Sequence, residues 1–233
     1  MKVYYDLHIH TAASPCGDEL MSPHNIVNMA KLQGLDVIAI TDHQTSCNVQ
    51  AVKEVGEQNG LLVIPGLEIE CAEEFHLIAL LPTCKAAKTI EETVQKGMLK
   101  IKNKPKVFGQ QMHFNAQSEV IDEIEDFLLV ATCMTAHEIA EKVRALNGII
   151  YPAHIDRNSY SIISQLGVLP EKPSFTALEI SKEAHLEVYM KKYKGYHIIQ
   201  SSDAHYLQNI SERQQFIELP EISINALFNW FKY

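Results

Sequence analysis

The segment Asp6-Leu-His-Ile-His10 sets two histidines, His8 and His10, in a run that is otherwise mostly apolar. Side chains of an extended strand alternate between its faces, so both imidazoles project from one side. Two nitrogen donors so placed suit a metal ion. Histidines and carboxylates recur where later apolar runs end: Asp42 and His43 in AITDH, Glu68 and Glu70 in IPGLEIE, His154 in YPAHIDR, Glu179 in LEIS, and Asp203 with His205 in SSDAH. His76 opens the run FHLIAL. A lone strand-end histidine is ordinarily a hydrogen-bonded structural residue. Burying this many imidazoles and carboxylates together without a cation, however, would leave costly unpaired polar groups. A cation cluster is the simpler account, and nitrogen and oxygen donors without thiolate favour zinc, manganese or iron.

The other histidines read as structural. His24 and His137 fall in the first turns of expected helices, and His113, His185 and His197 lack a motif partner. Cys16 lies near the cluster in sequence, but a loop cysteine is more ordinarily a bystander.

These side chains need a scaffold that gathers strand ends. Strands are expected at Val3 to Ile9, Val37 to Thr41, Leu61 to Ile69, His76 to Leu81, Ile149 to Ala153, Ala177 to Ile180 and Ile198 to Ser201. Most are continuous apolar runs, which suits parallel strands buried on both faces. Between them, Ser22-Pro23 reads as an N-cap with proline in the first helical turn, opening a helix that Gly34 closes. Thr135-x-x-Glu138 is a capping-box pattern followed by Ile139, Val143 and Leu146 at helical spacing. Further helices are expected over 48–58, 183–193 and 222–231. This alternation predicts an α/β barrel whose strand C-termini share one face, where such barrels build their sites. From about 96 to 134 the rhythm breaks: lysines 100, 102, 104 and 106 precede two segments that flank the turn-like NAQS, an inserted hairpin or lid. One domain, 1–233, is the economical reading.

Composition excludes several classes. No apolar run approaches the roughly 20 residues that cross a bilayer. No export signal is evident, and five scattered cysteines suggest no disulfide framework, so a cytoplasmic location is expected. A net charge of −9 argues against a broad surface for duplex nucleic acid but not against a pocket for one nucleotide.

DLHIHT, ITDH, GLEI, PAH and SSDAH, in that order from residue 6 to 205, resemble the PHP family, named for its polymerase and histidinol phosphatase members. The resemblance implies a distorted (β/α)7 barrel, two or three divalent ions and phosphoester hydrolysis by a metal-activated hydroxide. It would give His8, His10, Glu68 and Asp203 to one metal. Glu68 would bridge to a second, completed by His76 and His154, and Asp18, His43 and His205 would hold a third. In the longer loop SPCGDE, Glu19 or Cys16 could replace Asp18. Three divalent ions carry about +6 against about −3 from Asp18, Glu68 and Asp203, which suits a phosphate dianion and a hydroxide. Asp6 and Asp42, each beside a ligand motif, are candidates to orient histidines or, equally, to bond backbone. Arg157 could clamp phosphate bidentately or form an ordinary surface ion pair. The lysines of 100–106 could attract a polyanion, but a solvated hairpin is the plainer reading.

The expected substrate is a small phosphate monoester or a short nucleotide. Two other readings stay open: an amidohydrolase-type barrel, which would typically bridge its metals with a lysine, and a catalytically silent, metal-stabilised binding domain.

Overall fold

The computed structural model describes residues 1–232. The chain runs β1 (Lys2–Ile9), α1 (Pro23–Leu32), β2 (Val37–Ile40), α2 (Val49–Gln58), β3 (Leu62–Glu70), β4 (His76–Leu80) and α3 (Cys84–Gln95). There follow α4 (Pro105–Phe108), β5 (Met112–Phe114), β6 (Val120–Glu123), α5 (Ala136–Ala145), β7 (Ile149–Pro152) and α6 (Ile162–Leu166). The last elements are β8 (Ala177–Ile180), α7 (Leu186–Lys192), β9 (His197–Gln200), β10 (Phe216–Glu218) and α8 (Ile224–Trp230).

A curled sheet in the order β10-β1-β2-β3-β4-β7 is continued by the parallel pair β8-β9. The Ile155 N–H bonds Glu179 O at 2.8 Å and the His10 N–H bonds Ala204 O at 3.0 Å, so the ring nearly closes on both flanks. This is the distorted barrel the motifs implied, with one departure. β4 runs antiparallel to both β3 and β7. The link from Glu70 to His76 is too short for a parallel return, which needs a dozen or more residues. Reversal brings the first residue of β4, His76, to the face where the other strands end. The short β10, antiparallel to the start of β1, was not expected from the sequence.

The runs are apolar throughout because both strand faces are buried. Val3, Tyr5 and Leu7 of β1, Val37 and Ala39 of β2, Ile64, Ile78, Tyr151, Ala177 and Ile199 fill the barrel interior, and Leu227 and Phe231 close its floor. Ile38 and Ile40 point outward onto α1 and α2 with Ile26, Val27 and Val52. In β1 the alternation is interrupted. Asp6 pairs with Ile38 and Ile9 with Ile40, so three steps on β1 oppose two on β2. Such a bulge re-aims the side chains beyond it. Leu7 is in the interior plug, Ile9 joins the outer layer, and the two histidines turn to the barrel mouth.

α5 begins with the expected capping box of Thr135 and Glu138. α1 has Pro23 in its first turn, but Ser22 makes no side-chain cap. α3, capped by Thr83, was not anticipated. The insertion does contain a hairpin, β5–β6, and it is tied to the barrel mouth. Asn48 bonds both Met112 O (2.9 Å) and the Phe114 N–H (2.7 Å), and the Thr132 N–H bonds Glu70 O (3.0 Å). Lys100 and Lys102 are paired with Asp126, and Lys102 also with Glu125. No helix among the described residues is long and apolar enough to cross a membrane.

Candidate metal centre

Six histidines from five chain segments converge at the mouth: His8 and His10 from β1, His43 after β2, His76 from β4, His154 after β7, and His205 after β9. Glu68 of β3 lies at their centre. Its Oε1 is 2.8 Å from His76 Nδ1 and 3.1 Å from His154 Nε2. Its Oε2 is 3.1 Å from His43 Nδ1, 3.2 Å from His10 Nε2 and 3.4 Å from His8 Nε2. Asp203 Oδ1 lies 3.0 Å from His10 Nε2 and 3.2 Å from His8 Nε2. His154 and Asp203 both have positive φ, 27° and 52°, uncommon backbone for such residues and a form of strain that clusters at functional sites.

These contacts test whether the residues fit a cation. Glu68 Oε2 and Asp203 Oδ1 are buried and have no aligned hydrogen-bond donor, although ring nitrogens lie within 3.4 Å. Donor atoms of one tetrahedral ion with bonds of about 2.05 Å stand about 3.3 Å apart. Close approach without hydrogen-bond alignment is what ligands sharing an ion show. Three groups of ligand atoms lie within 4.8 Å of one another: His8, His10, Glu68 and Asp203; His43, Glu68 and His76; and His10, His43 and His205. The first is the set expected for one metal. The second places His43 with Glu68 and His76, where the motifs imply Asp18 and His205 as its partners; the third keeps it beside His205. His154 joins through Glu68 Oε1.

Behind the ligands, hydrogen bonds fix the rings. His8 Nδ1 is 2.8 Å from Glu179 Oε1, and a carboxylate only accepts, so the proton sits on Nδ1 and the Nε2 lone pair faces the cluster. His10 Nδ1 is 2.9 Å from Ser14 Oγ, whose hydroxyl donates to Asp42 Oδ1 at 2.7 Å. Ser14 therefore accepts from His10, and His10 Nε2 is likewise left free. Asp42 also takes the Thr11 N–H and hydroxyl, both at 2.7 Å, so it orients His10 through an intermediary. Asp6 does not take such a part: its carboxylate accepts the N–H groups of Ser202 (3.0 Å) and Ser211 (2.9 Å). Glu179 was visible as a strand-end carboxylate, but its role was not; Ser14 carried no signal beyond its nearness to the histidine pair.

Electrostatics follows from burial. Burial opposes ionisation of Glu68, yet His76, His8 and His43 override it and hold the carboxyl well below its usual range. Asp203 is likewise held down against its burial, chiefly by His8 and His10. Burial also disfavours charge on His8, but Glu179, Asp203 and Glu68 raise its pKa well above the ordinary value; His10, beside Asp203 and Glu68, reaches about 9. His43 is pushed well down by burial, and His205 falls to about 4 through burial and the neighbouring His10.

Asp18 stands apart from the three groups. Its backbone N–H bonds His205 O at 2.9 Å, while its Oδ1 accepts the Leu20 N–H at 2.9 Å. Glu19 and Cys16 are exposed, and Cys16 also lines the cleft. Arg157 pairs with Asp203 Oδ2 and borders the same cleft, of about 320 Å³. Leu129 and Ala131 from the insertion form part of its wall.

A distorted α/β barrel with histidines and carboxylates gathered at one mouth defines a class of metal-binding hydrolase folds. Residues 6–228 match the PHP domain, and the chain belongs to the PHP family of metal-dependent phosphoesterases. Among curated relatives, the 5′-3′ exoribonuclease Rnm of Salmonella typhimurium is 41% identical over 78 residues, 33% of this chain and 26% of that protein. The chain thus spans only about a quarter of that relative. The fold is similar to that of the lesion-specific endonuclease PfuEndoQ from Pyrococcus furiosus (TM-score 0.73, 21% identity, 100% of this chain and 56% of that one). Endonuclease Q has also been seen with a 27-mer duplex bearing an abasic lesion at its active site. An amidohydrolase from Chromobacterium violaceum is similar over 98% of this chain and 97% of its own (TM-score 0.64, 14% identity).

Proposed function

We propose that the chain hydrolyses the phosphate ester of a small molecule or of a short nucleotide at a centre of two or three divalent ions. The observation that carries this reading is the pair of buried, unaligned carboxylate oxygens, Glu68 Oε2 and Asp203 Oδ1, facing imidazole nitrogens whose opposite sides are already bonded. His8, His10, Glu68 and Asp203 would hold one ion, His43, His76 and His154 with Glu68 a second, and His205 with His10 and His43 an outer one. Divalent ions held by these residues would supply an activated water and charge stabilisation for the phosphoryl oxygens. Asp18 remains a candidate for the outer ion through a turn of its side chain.

The protein's own groups do the rest. Glu179 and the Ser14–Asp42 pair keep His8 and His10 in the tautomer that presents Nε2 inward. Arg157, with 40% of its side chain exposed at the cleft edge, can leave Asp203 Oδ2 and grip a phosphate oxygen. Leu129 and Ala131 limit access of water from the insertion side. Glu68 holds the position that an amidohydrolase-type barrel would typically give to a lysine, which favours the phosphoesterase reading. Net acidity and a cleft of this size favour a small substrate, although a relative of this fold accepts a duplex.

The test is phosphate release by Mn²⁺-loaded protein from sugar phosphates, nucleoside mono- and bisphosphates and short oligonucleotides, beside His10→Ala. Metal-dependent release that His10→Ala abolishes is the expected result. A protein that retains its metals yet releases phosphate from none of these would overturn the proposal.

A further inference from the structure

Building on the phosphoesterase reading, we infer that Tyr160 is a stacking platform for an unpaired nucleobase, so that the cleft selects nucleotides over other phosphate esters. Tyr160 is 49% exposed, yet its ring is not loose on the surface. It stacks on His76 with centroids 4.9 Å apart and planes 22° from parallel, and it lines the cleft. One face is therefore covered by a ligand ring while the rest of the side chain stays open. The backbone holds it there at φ 54°, an outlier for a bulky residue, with its carbonyl accepting the His76 N–H at 2.9 Å. Ser161 secures the next position: its hydroxyl bonds Arg157 O at 2.7 Å and caps α6.

Spacing matches a nucleotide. His76 Nδ1 is 2.8 Å from Glu68 Oε1, so Tyr160 stands one ring layer outside the centre where the phosphate is processed. A second ring stacked on it would lie about 4.5–7 Å beyond, centroid to centroid. That leaves the span of a sugar between phosphate and base. Leu129 and Ala131 give the same cleft apolar wall, which a base can use and a bare sugar phosphate cannot. Along one loop, Arg157 serves the phosphate and Tyr160 the base. Stacking tolerates any base but needs its face free, so a mononucleotide or a strand end fits better than a paired internal position.

The experiment is calorimetric binding of adenosine 5′-monophosphate and ribose 5-phosphate, each as its hydrolysis-resistant phosphonate analogue, to the Mn²⁺-loaded wild type, Tyr160→Phe and Tyr160→Asn. Asparagine removes the ring while tolerating the left-handed backbone. We expect the wild type to prefer the nucleotide by roughly tenfold to hundredfold, the range of aromatic–base stacking. Tyr160→Phe should keep that preference and Tyr160→Asn lose it, with ribose 5-phosphate binding unchanged in both. Equal wild-type affinities, or a preference that survives in Tyr160→Asn, would overturn the platform and leave the phosphoesterase reading standing. Failure of both ligands to bind would overturn the platform, and absent phosphate release from every ester would separately overturn the reading beneath it.

Discussion

The inner and outer parts of the centre are built differently. His8 and His10 are fully buried, and each ring is fixed from behind, by Glu179 or by Ser14 and Asp42. On the outer side the His205 side chain is 21% exposed, its Nδ1 meets only the Asp203 backbone oxygen at 2.9 Å and the Asp203 carboxylate at 3.5 Å, and the nearby Asp18 spends its carboxylate on its own loop. Preorganisation is thus concentrated where the chain passes through the core. An ion held by pre-oriented ligands costs less ordering than one that must recruit a loop, so the inner positions should fill first and release last.

That contrast can be broken most directly at Glu68, which meets five of the six histidines. Glu68→Gln should lose more than about a hundredfold in metal affinity and in phosphate release, exceeding the loss of any orienting partner. Elemental analysis after gel filtration would read the metal content, and retention of a full complement would contradict the bridging role. Next come Glu179→Gln and Asp42→Asn, each expected to cost about 10- to 100-fold in inner-site affinity. Competition with a chelator of known affinity measures this, and an unchanged value would show that the rings need no support.

A smaller and graded effect comes from pH. The imidazolium forms of His8 and His10 are favoured by neighbouring carboxylates, and His10 gives up its proton only near about pH 9. Protons and cations compete for the same nitrogens. Metal affinity should therefore rise as pH increases from about 6 towards about 9, with proton release on loading in weakly buffered solution. In the metal-free protein the sign is opposite. The stability contributed by the raised His10 pKa is full below about 6.5, its ordinary value, and is lost as pH climbs through about 9. Thermal melts across that window, with and without Mn²⁺, should diverge; parallel curves would argue against proton–metal exchange. Smallest of all, Asp18→Asn should cost less than the roughly tenfold expected for an orienting partner and leave the inner ions in place.

Much of this was written in the chain because strand ends are conspicuous. His8, His10, His43, Glu68, His154, Asp203 and His205 could each be found from an apolar run that stops at polar residues, and His76 from one that starts with it. Reversal of β4 was also legible in principle: six residues separate Ile69 from His76, too few for a crossover. α3 had its own signal, Thr83 ahead of Ala86, Ala87, Ile90 and Val94, which all turn to the core. Other features depend on contacts across the fold. Glu179 reaches His8 over 171 positions, and no local pattern distinguishes it from any other buried strand carboxylate. Asp6 looked equivalent to Asp42, and only the loop carrying Ser202 and Ser211 decides that it binds backbone. The ring of Tyr160 depends on a backbone conformation that its residue type disfavours, so no propensity would have placed it.

The extra residue in β1 acts as a phase shifter. Below it the strand keeps step with the apolar plug; above it the same alternation is turned over, and polar residues face inward where leucine and valine did. The motif His-x-His therefore carries no instruction about which way it points. Were the same residues to run through that point in unbroken alternation, without the bulge, Leu7 and Ile9 would share the interior and both imidazoles would turn toward the helical layer, a centre silenced without altering a single ligand.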